Sequence, residues 1–195
     1  SEEHTSELQS RENLVCRLLL EKTEGPMDLS GAAIEDLRMT PDRIDGATQY
    51  VDLSESVVQA GELSQPAEGH ILYDFEKATL GEVELTTPDD TAVIDYVRLV
   101  RTSFDRFEFE NDDMDPQAAG WAIHEVFDES LLPESRRGAL SPETLLDTYL
   151  KAKNGAKEAG NTTAVGAFYY QEMTYRRKHL SELIAQDEVT DSERV

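Results

Sequence analysis

Cysteine is almost absent from this chain of 195 residues, which contains Cys16 and no other cysteine. A single cysteine excludes a disulfide within the chain and is typical of proteins in a reducing compartment. Long apolar segments are also missing, since the longest, such as residues 164–170, fall far short of the roughly 20 residues that cross a bilayer. No export signal is visible. We therefore expect a cytoplasmic protein without a membrane segment in this chain. The question whether a membrane segment follows Val195 in a longer protein stays open.

Basic side chains are scarce as well. The 18 Lys and Arg residues stand against 41 Asp and Glu residues, a net charge of −23. Such acidity disfavours direct contact with nucleic acids or anionic membranes. The acids are scattered among regularly spaced apolar residues, which argues against a disordered acidic tail. With only six lysines and abundant Asp, Glu and Thr, the composition resembles that of proteins from salt-accumulating archaea, in which high ionic strength screens self-repulsion.

The charge is unevenly distributed. Residues 1–135 hold 9 basic and 32 acidic side chains, whereas residues 136–195 hold 9 of each. Together with turn-rich inserts and the patterns below, this difference predicts a lead-in segment at 1–26, an acidic repeat region at 27–113 and a helical subdomain at 114–195.

Apolar residues recur every five positions between residues 29 and 109. They form four series, namely Leu29, Ile34, Met39 and Ile44; Leu53, Val58 and Leu63; Phe75, Leu80 and Leu85; and Leu99, Phe104 and Phe109. A period of five fits neither a strand nor a helix. The series begin 24, 22 and 24 residues apart, which indicates an internal repeat.

A five-residue unit with an apolar centre, and a small residue two positions earlier, resembles the pentapeptide repeat family. The segments AAIED at 32–36 and ATLGE at 78–82 carry this resemblance. It implies a mixed β and α fold, namely a short right-handed quadrilateral β-helix, a solenoid of stacked coils, capped by C-terminal α-helices. Asp42 would then point toward the interior, so irregular coils are expected near residues 40–52. The alternative is an ordinary antiparallel β-sheet.

Three helices are predicted in the C-terminal part. The first begins at Asp115 and Pro116 and runs to about Phe127, and the second begins at Ser141 and Pro142 and ends at Gly160. The third follows Asn161, so the last two form an antiparallel hairpin. One face of this third helix is expected to carry Ala164, Ala167, Phe168, Gln171, Tyr175 and Leu180. This hairpin resembles a segment that accompanies pentapeptide repeats in haloarchaeal proteins, sometimes ahead of membrane channel segments, and it is also similar to one tetratricopeptide-like hairpin.

Catalytic and metal-binding patterns are weak. His124 beside Glu125, with Trp121 one turn earlier, permits a general base, and Glu172 and His179 lie seven residues apart on one helix. A packed histidine and a solvated helix face explain these residues better, and Cys16 has no assignable histidine partner. We predict that the chain is not an enzyme and has no catalytic residues, cofactor or metal.

The third helix suggests a partner-binding surface instead. Tyr and Arg are enriched where protein interfaces bind strongly, and the predicted contact residues are Tyr169, Tyr170, Arg176, Arg177 and Lys178. These residues predict a non-catalytic interaction or scaffold module of a salt-adapted, archaeal-type protein, with a protein partner of unknown identity and an open oligomeric state. The alternatives are a DNA mimic that modulates a DNA-binding enzyme such as a topoisomerase, or a cytosolic domain associated with a membrane channel.

Overall fold

The computed structural model describes residues 26–41, 43–44, 48–87, 93–109, 116–117 and 119–192. The strands are β1 (Met27–Asp28), β2 (Ala33–Met39), β3 (Gln49–Asp52), β4 (Val57–Ser64), β5 (Ile71–Asp74), β6 (Thr79–Thr86), β7 (Val97–Arg98) and β8 (Ser103–Phe104). The helices are α1 (Pro142–Glu158) and α2 (Thr162–Ser192), with 3-10 turns at Val93–Tyr96, Glu129–Leu131 and Glu134–Arg136. The predictions for the lead-in segment, Cys16 and Asp42 lie outside these residues.

The strands alternate between two parallel sheets. One sheet has the order β1-β3-β5-β7 and the other β2-β4-β6-β8. Partner residues along the second sheet are Ile34, Val58, Leu80 and Phe104. Their offsets of 24, 22 and 24 residues equal the spacing of the sequence repeat, so each repeat supplies one strand to each sheet.

The predicted quadrilateral β-helix is wrong, and the description of the chain as a solenoid falls with it. Two four-stranded parallel sheets and two C-terminal helices make a mixed α/β fold. The prediction failed because it assigned each five-residue unit to a separate short side, whereas β2, β4 and β6 have seven or eight residues. In β4, Val58 and Leu63 are both buried although five residues apart, so the period of five arises within one long strand. The antiparallel alternative is wrong too, because the strand pairs are parallel.

Tight turns at equivalent positions connect the two sheets. Each contains a residue with positive φ, namely Gly31, Glu55, Lys77 and Arg101. Neighbouring turns are joined by backbone hydrogen bonds of 2.8 Å, from Gly31 to Ser54, from Glu55 to Glu76 and from Lys77 to Val100. The turns thereby extend the backbone pairing from one sheet to the other.

The interior contains most residues of the predicted apolar series. Ile34, Leu53, Val58, Phe75, Leu80, Leu99, Phe104 and Phe109 are buried, whereas Leu29 is only partly buried. One end of this buried interior is a cluster of aromatic rings, in which the centroids of Phe104 and Phe109 lie 4.7 Å apart. Phe168 of α2 closes this cluster, 4.9 Å from Phe109. The helical hairpin therefore completes the hydrophobic core.

The C-terminal part confirms the hairpin but not the helix predicted at 115–127. The described residues of that segment form turns, because Gly120 and Trp121 both adopt positive φ and so interrupt helical geometry. Asp115 itself lies outside the described residues. The α1 helix begins as predicted, with Ser141 Oγ accepting from Thr144 N, and Gly160 follows its end with a φ of 77°.

Candidate interaction surface

A buried ion-pair network lies at one end of the β1-β3-β5-β7 sheet. Asp28, Asp52, Asp74 and Arg98 occupy one register position on successive strands. Asp74 is fully buried, and Arg98 donates to its carboxylate at 2.9 Å and to Glu76 at 3.0 Å. Arg136, from the segment before α1, donates to Glu76 and to Ser54 Oγ. The network therefore ties the segment 129–136 to the sheet.

Glu76 is the acid of this network whose ionised form is favoured by its partners. Burial would raise the pKa of Glu76, but hydrogen bonds from Arg98 and Arg136 outweigh burial and lower it. Tyr50 donates to Asp74 at 2.9 Å, and burial together with the Asp74 charge raises the pKa of its phenol. Because these charges compensate one another, the network has a structural role.

His124 lies in an aromatic cluster formed with both helices. A hydrogen bond of 2.7 Å joins its Nδ1 to Tyr149 Oη, and the Tyr175 ring packs edge-on 6.0 Å away. Burial, reinforced by the charges of Arg98 and Lys178, lowers the pKa of His124 to about 4. The neighbouring Glu125 oxygen lies 3.6 Å from Nε2. His124 is thus a neutral, packed side chain at neutral pH.

Two cavities border the hairpin. One, of about 350 Å³, lies beside the segment 123–140 and is lined by His124, Leu132, Tyr175 and Lys178, among others. The other, of about 310 Å³, is formed by Glu108 and residues 159–163 at the link between the helices. The cavity of about 350 Å³ is also lined by Arg98 and Arg136. Both arginines are already ion-paired, so they are poor candidates for binding a free anion.

The second weak pattern, Glu172 with His179, is explained by ion pairing. Glu172 is buried and its carboxylate accepts from Lys153 of α1 and, at 2.6 Å, from Arg176. These two cations use the oxygens that a metal would need. Across the described ranges, no group of three or more His, Cys, Asp or Glu side chains could hold a metal ion.

The five predicted partner-binding residues do not lie on one face of α2. Tyr169 and Tyr170 are 52% and 72% exposed. Arg176 is tied to Glu172, and Arg177 is exposed without a side-chain partner among the described residues. Lys178 faces the larger cavity, with its Nζ 4.8 Å from the centre of the Tyr175 ring. Lys178 is therefore separated from the tyrosines.

A further set of exposed apolar residues continues the surface of Tyr169 along α2. Leu180, Leu183 and Ile184 are 51%, 43% and 61% exposed, which contradicts the expected position of Leu180 on the packed face. The set was missed because helical periodicity does not show how far α2 continues past α1. Residues 180–186 are all exposed, since α1 has 17 residues and α2 has 31.

At a helical repeat of 3.6 residues these side chains lie along one line. We call this line the outer stripe, and it consists of Tyr169, Met173, Arg176, Leu180, Leu183 and Ile184. None of the helices in the described part of the chain combines the length and apolar character needed to cross a membrane. The outer stripe thus groups the exposed side chains of Tyr169, Leu180, Leu183 and Ile184 along one side of α2.

Comparisons with models of known protein families, with curated proteins and with solved structures found no match for this chain.

Proposed function

We propose that this chain is a non-catalytic protein–protein interaction module of a salt-adapted protein, and that its contact surface is the outer stripe with the adjacent Tyr170 and Arg177. The observation that carries this proposal is the exposure of Tyr169, Tyr170, Leu180, Leu183 and Ile184 on one long helix. Exposed apolar residues grouped in this way are typical of interaction sites.

The distribution of ionisable groups supports a binding role over catalysis. His124, whose Nε2 lies 3.6 Å from a Glu125 oxygen, is hydrogen-bonded to Tyr149, and its lowered pKa keeps it neutral. The buried acids Asp74 and Glu172 are each paired with a cation. A general acid or base needs an accessible side chain that can exchange its proton with a substrate.

The order of charges on the sheets also favours this proposal over DNA mimicry. Mimicry needs acids in rows, but one register row along β2, β4 and β6 reads Arg38, Glu62, Glu84 and another reads Asp36, Ala60, Glu82. The aligned acids Asp52 and Asp74 lie close to Arg98 and Arg136. The acidity is better explained by solvation at high salt.

The test is quantitative co-purification from the native host at molar KCl, with a second, differently tagged copy of the chain present. The variant carries Tyr169→Ser, Tyr170→Ser and Arg177→Ser. The control carries changes far from α2 in sequence, namely Glu62→Ser and Glu84→Ser on the β2-β4-β6-β8 sheet and Lys77→Ser in an adjoining turn. Both must melt like the unmodified chain. We expect partners to be lost from the α2 variant and retained by the control. Loss of partners from the control alone would indicate that the contact surface lies on the sheets instead of on α2.

A further inference from the structure

The last side chains of α2 that the structure describes are exposed to solvent. From Leu180 to Gln186 every residue is exposed, and the helix continues to Ser192. These 13 residues extend about 20 Å at 1.5 Å per residue. A helix this short is marginal in water without a packed face, so the segment gains stability when a partner covers Leu180, Leu183 and Ile184.

Charge is segregated along this helix. Arg176, Arg177 and Lys178 are consecutive, and from residue 181 onward the charged residues of α2 are all acidic, namely Glu182, Asp187, Glu188 and Asp191. Two such helices aligned in parallel would bring bases next to bases. In an antiparallel pair each basic segment lies beside the acidic segment of the other helix.

We propose that the outer stripe binds a second copy of this chain, through antiparallel pairing of the two α2 helices about a two-fold axis near Glu182. This inference rests on the proposed function, because it names the partner of that surface. The axis places position 180 opposite 184, 177 opposite 187 and 176 opposite 188. The apolar residues Leu180, Leu183 and Ile184 lie close to the axis, where an isologous interface buries them twice.

The arrangement also separates the two acidic bodies. The overlapping segments run from about residue 173 to about residue 191, roughly 27 Å of helix. The part of α2 that packs on α1 lies outside the centre of this overlap, and so the bodies lie at opposite ends of the pair. Residues 136–195 are electrically neutral in sum, whereas the rest of the chain carries the whole net charge of −23. Repulsion between copies is therefore lowest in this geometry.

The test measures the mass of the purified full chain by sedimentation equilibrium over a range of concentrations, at molar KCl. We expect a monomer–dimer equilibrium. Leu180→Glu with Ile184→Glu should weaken dimerisation by more than roughly a hundredfold, because each copy would place two charges in the apolar contact. The matched control, Glu62→Gln with Glu84→Gln on the sheet, should dimerise like the unmodified chain. A monomer at every concentration overturns the inference.

A charge exchange tests the direction of pairing. Arg177→Glu and Asp187→Arg should each weaken the dimer, whereas the double variant should restore it, because the antiparallel register places these two positions opposite each other. The comparison is made at the lowest KCl concentration at which the chain stays folded, since screening at about 1 M acts within roughly 3 Å. Absence of rescue overturns the antiparallel register.

The two proposals fail differently. If the chain stays monomeric and the α2 variant still loses a co-purifying host protein, self-pairing is overturned and the interaction module stands. If the variant with Leu180→Glu and Ile184→Glu dimerises normally, and the variant with Tyr169→Ser, Tyr170→Ser and Arg177→Ser keeps every co-purifying protein, both the proposed surface and the pairing are overturned.

Discussion

Gly155 lies where α1 packs closely against Phe104 of β8. A Cβ at this position would lie 2.4 Å from the Cβ of Phe104. In an exposed helix, Gly→Ala stabilises by about 0.5–1 kcal/mol. Here we expect Gly155→Ala to lower the free energy of unfolding by about 1–3 kcal/mol, because the packed core has no room for the methyl group.

Gly166 provides the matched control. It lies in α2, and an added Cβ would meet nothing within 4 Å. Gly166→Ala should therefore raise the free energy of unfolding by about 0.5–1 kcal/mol. Denaturant titration of both variants measures the difference. Equal stabilisation by the two substitutions would mean that α1 does not pack on Phe104 this closely.

His124 makes stability depend on pH. Its pKa is about 4 in the folded chain and about 6.5 in an unfolded one. Between these values the unfolded chain binds a proton that the folded chain does not, so stability falls as the pH falls. From about pH 7.5 to about pH 5 the loss from this group is about 2 kcal/mol.

The measurement compares thermal unfolding of the unmodified chain and His124→Gln at both pH values and constant ionic strength. The carboxylates titrate in both proteins, so the difference between the two chains reports His124. The unmodified chain should lose more stability than the variant. Identical pH dependence would show that the imidazole is not held neutral by its surroundings.

At the scale of elements, Arg98 holds β5, β7 and the segment 129–136 together. Arg98→Met removes the cation that donates to the buried carboxylate of Asp74 and leaves Arg136 4.0 Å from it, and we expect a loss of about 3–5 kcal/mol. Adding Asp74→Asn should recover part of the loss, since an amide still accepts from Tyr50. The exposed pair of Arg38 with Asp36 is the control, and Arg38→Met should cost about 0–1 kcal/mol. Similar losses for both arginines, measured by denaturant unfolding, would contradict the buried network.

The sequence predicted some elements well because their determinants are local. Ser141 and Gly160 define the ends of α1, and the repeat of 24, 22 and 24 residues corresponds to the strand register. The shape of the sheets was not predictable, because the spacing of Val58 and Leu63 does not distinguish two short strands from one long one. The helix predicted before Phe127 failed at Gly120 and Trp121, whose backbone follows tertiary contacts such as the edge-on packing of Trp121 against Phe168.

The candidate surface was predictable only in part. Tyr169, Tyr170 and Arg177 are exposed as expected. Lys178 lies on another side of α2, and Leu180 was assigned to the packed face although α1 does not extend far enough to cover it. How far one helix continues past another is set by the fold as a whole, so the exposure of Leu183 and Ile184 could not be derived from helical periodicity.

At the scale of the whole molecule, the net charge of −23 makes ionic strength a determinant of stability. Repulsion among the acids acts over about 10 Å at 0.1 M salt and over about 3 Å at 1 M. We expect the melting temperature to rise steadily from dilute buffer to molar KCl. A melting temperature that is constant over this range would remove salt adaptation as the cause of the acidity.

The row of Asp28, Asp52, Asp74 and Arg98 also bears on the order in which the chain folds. Asp52 and Asp74 precede Arg98 and Arg136, which lie within 4.0 Å of them, and the rings of Phe104 and Phe109 precede the helices that cover them. During synthesis the N-terminal strands emerge first, at a stage when they have neither a counter-charge nor a closed core. The first stable contacts should therefore form between the hairpin and β5 to β8, and order should then spread back toward β1. On this account the first strands become ordered only after the residues of the hairpin have been synthesised.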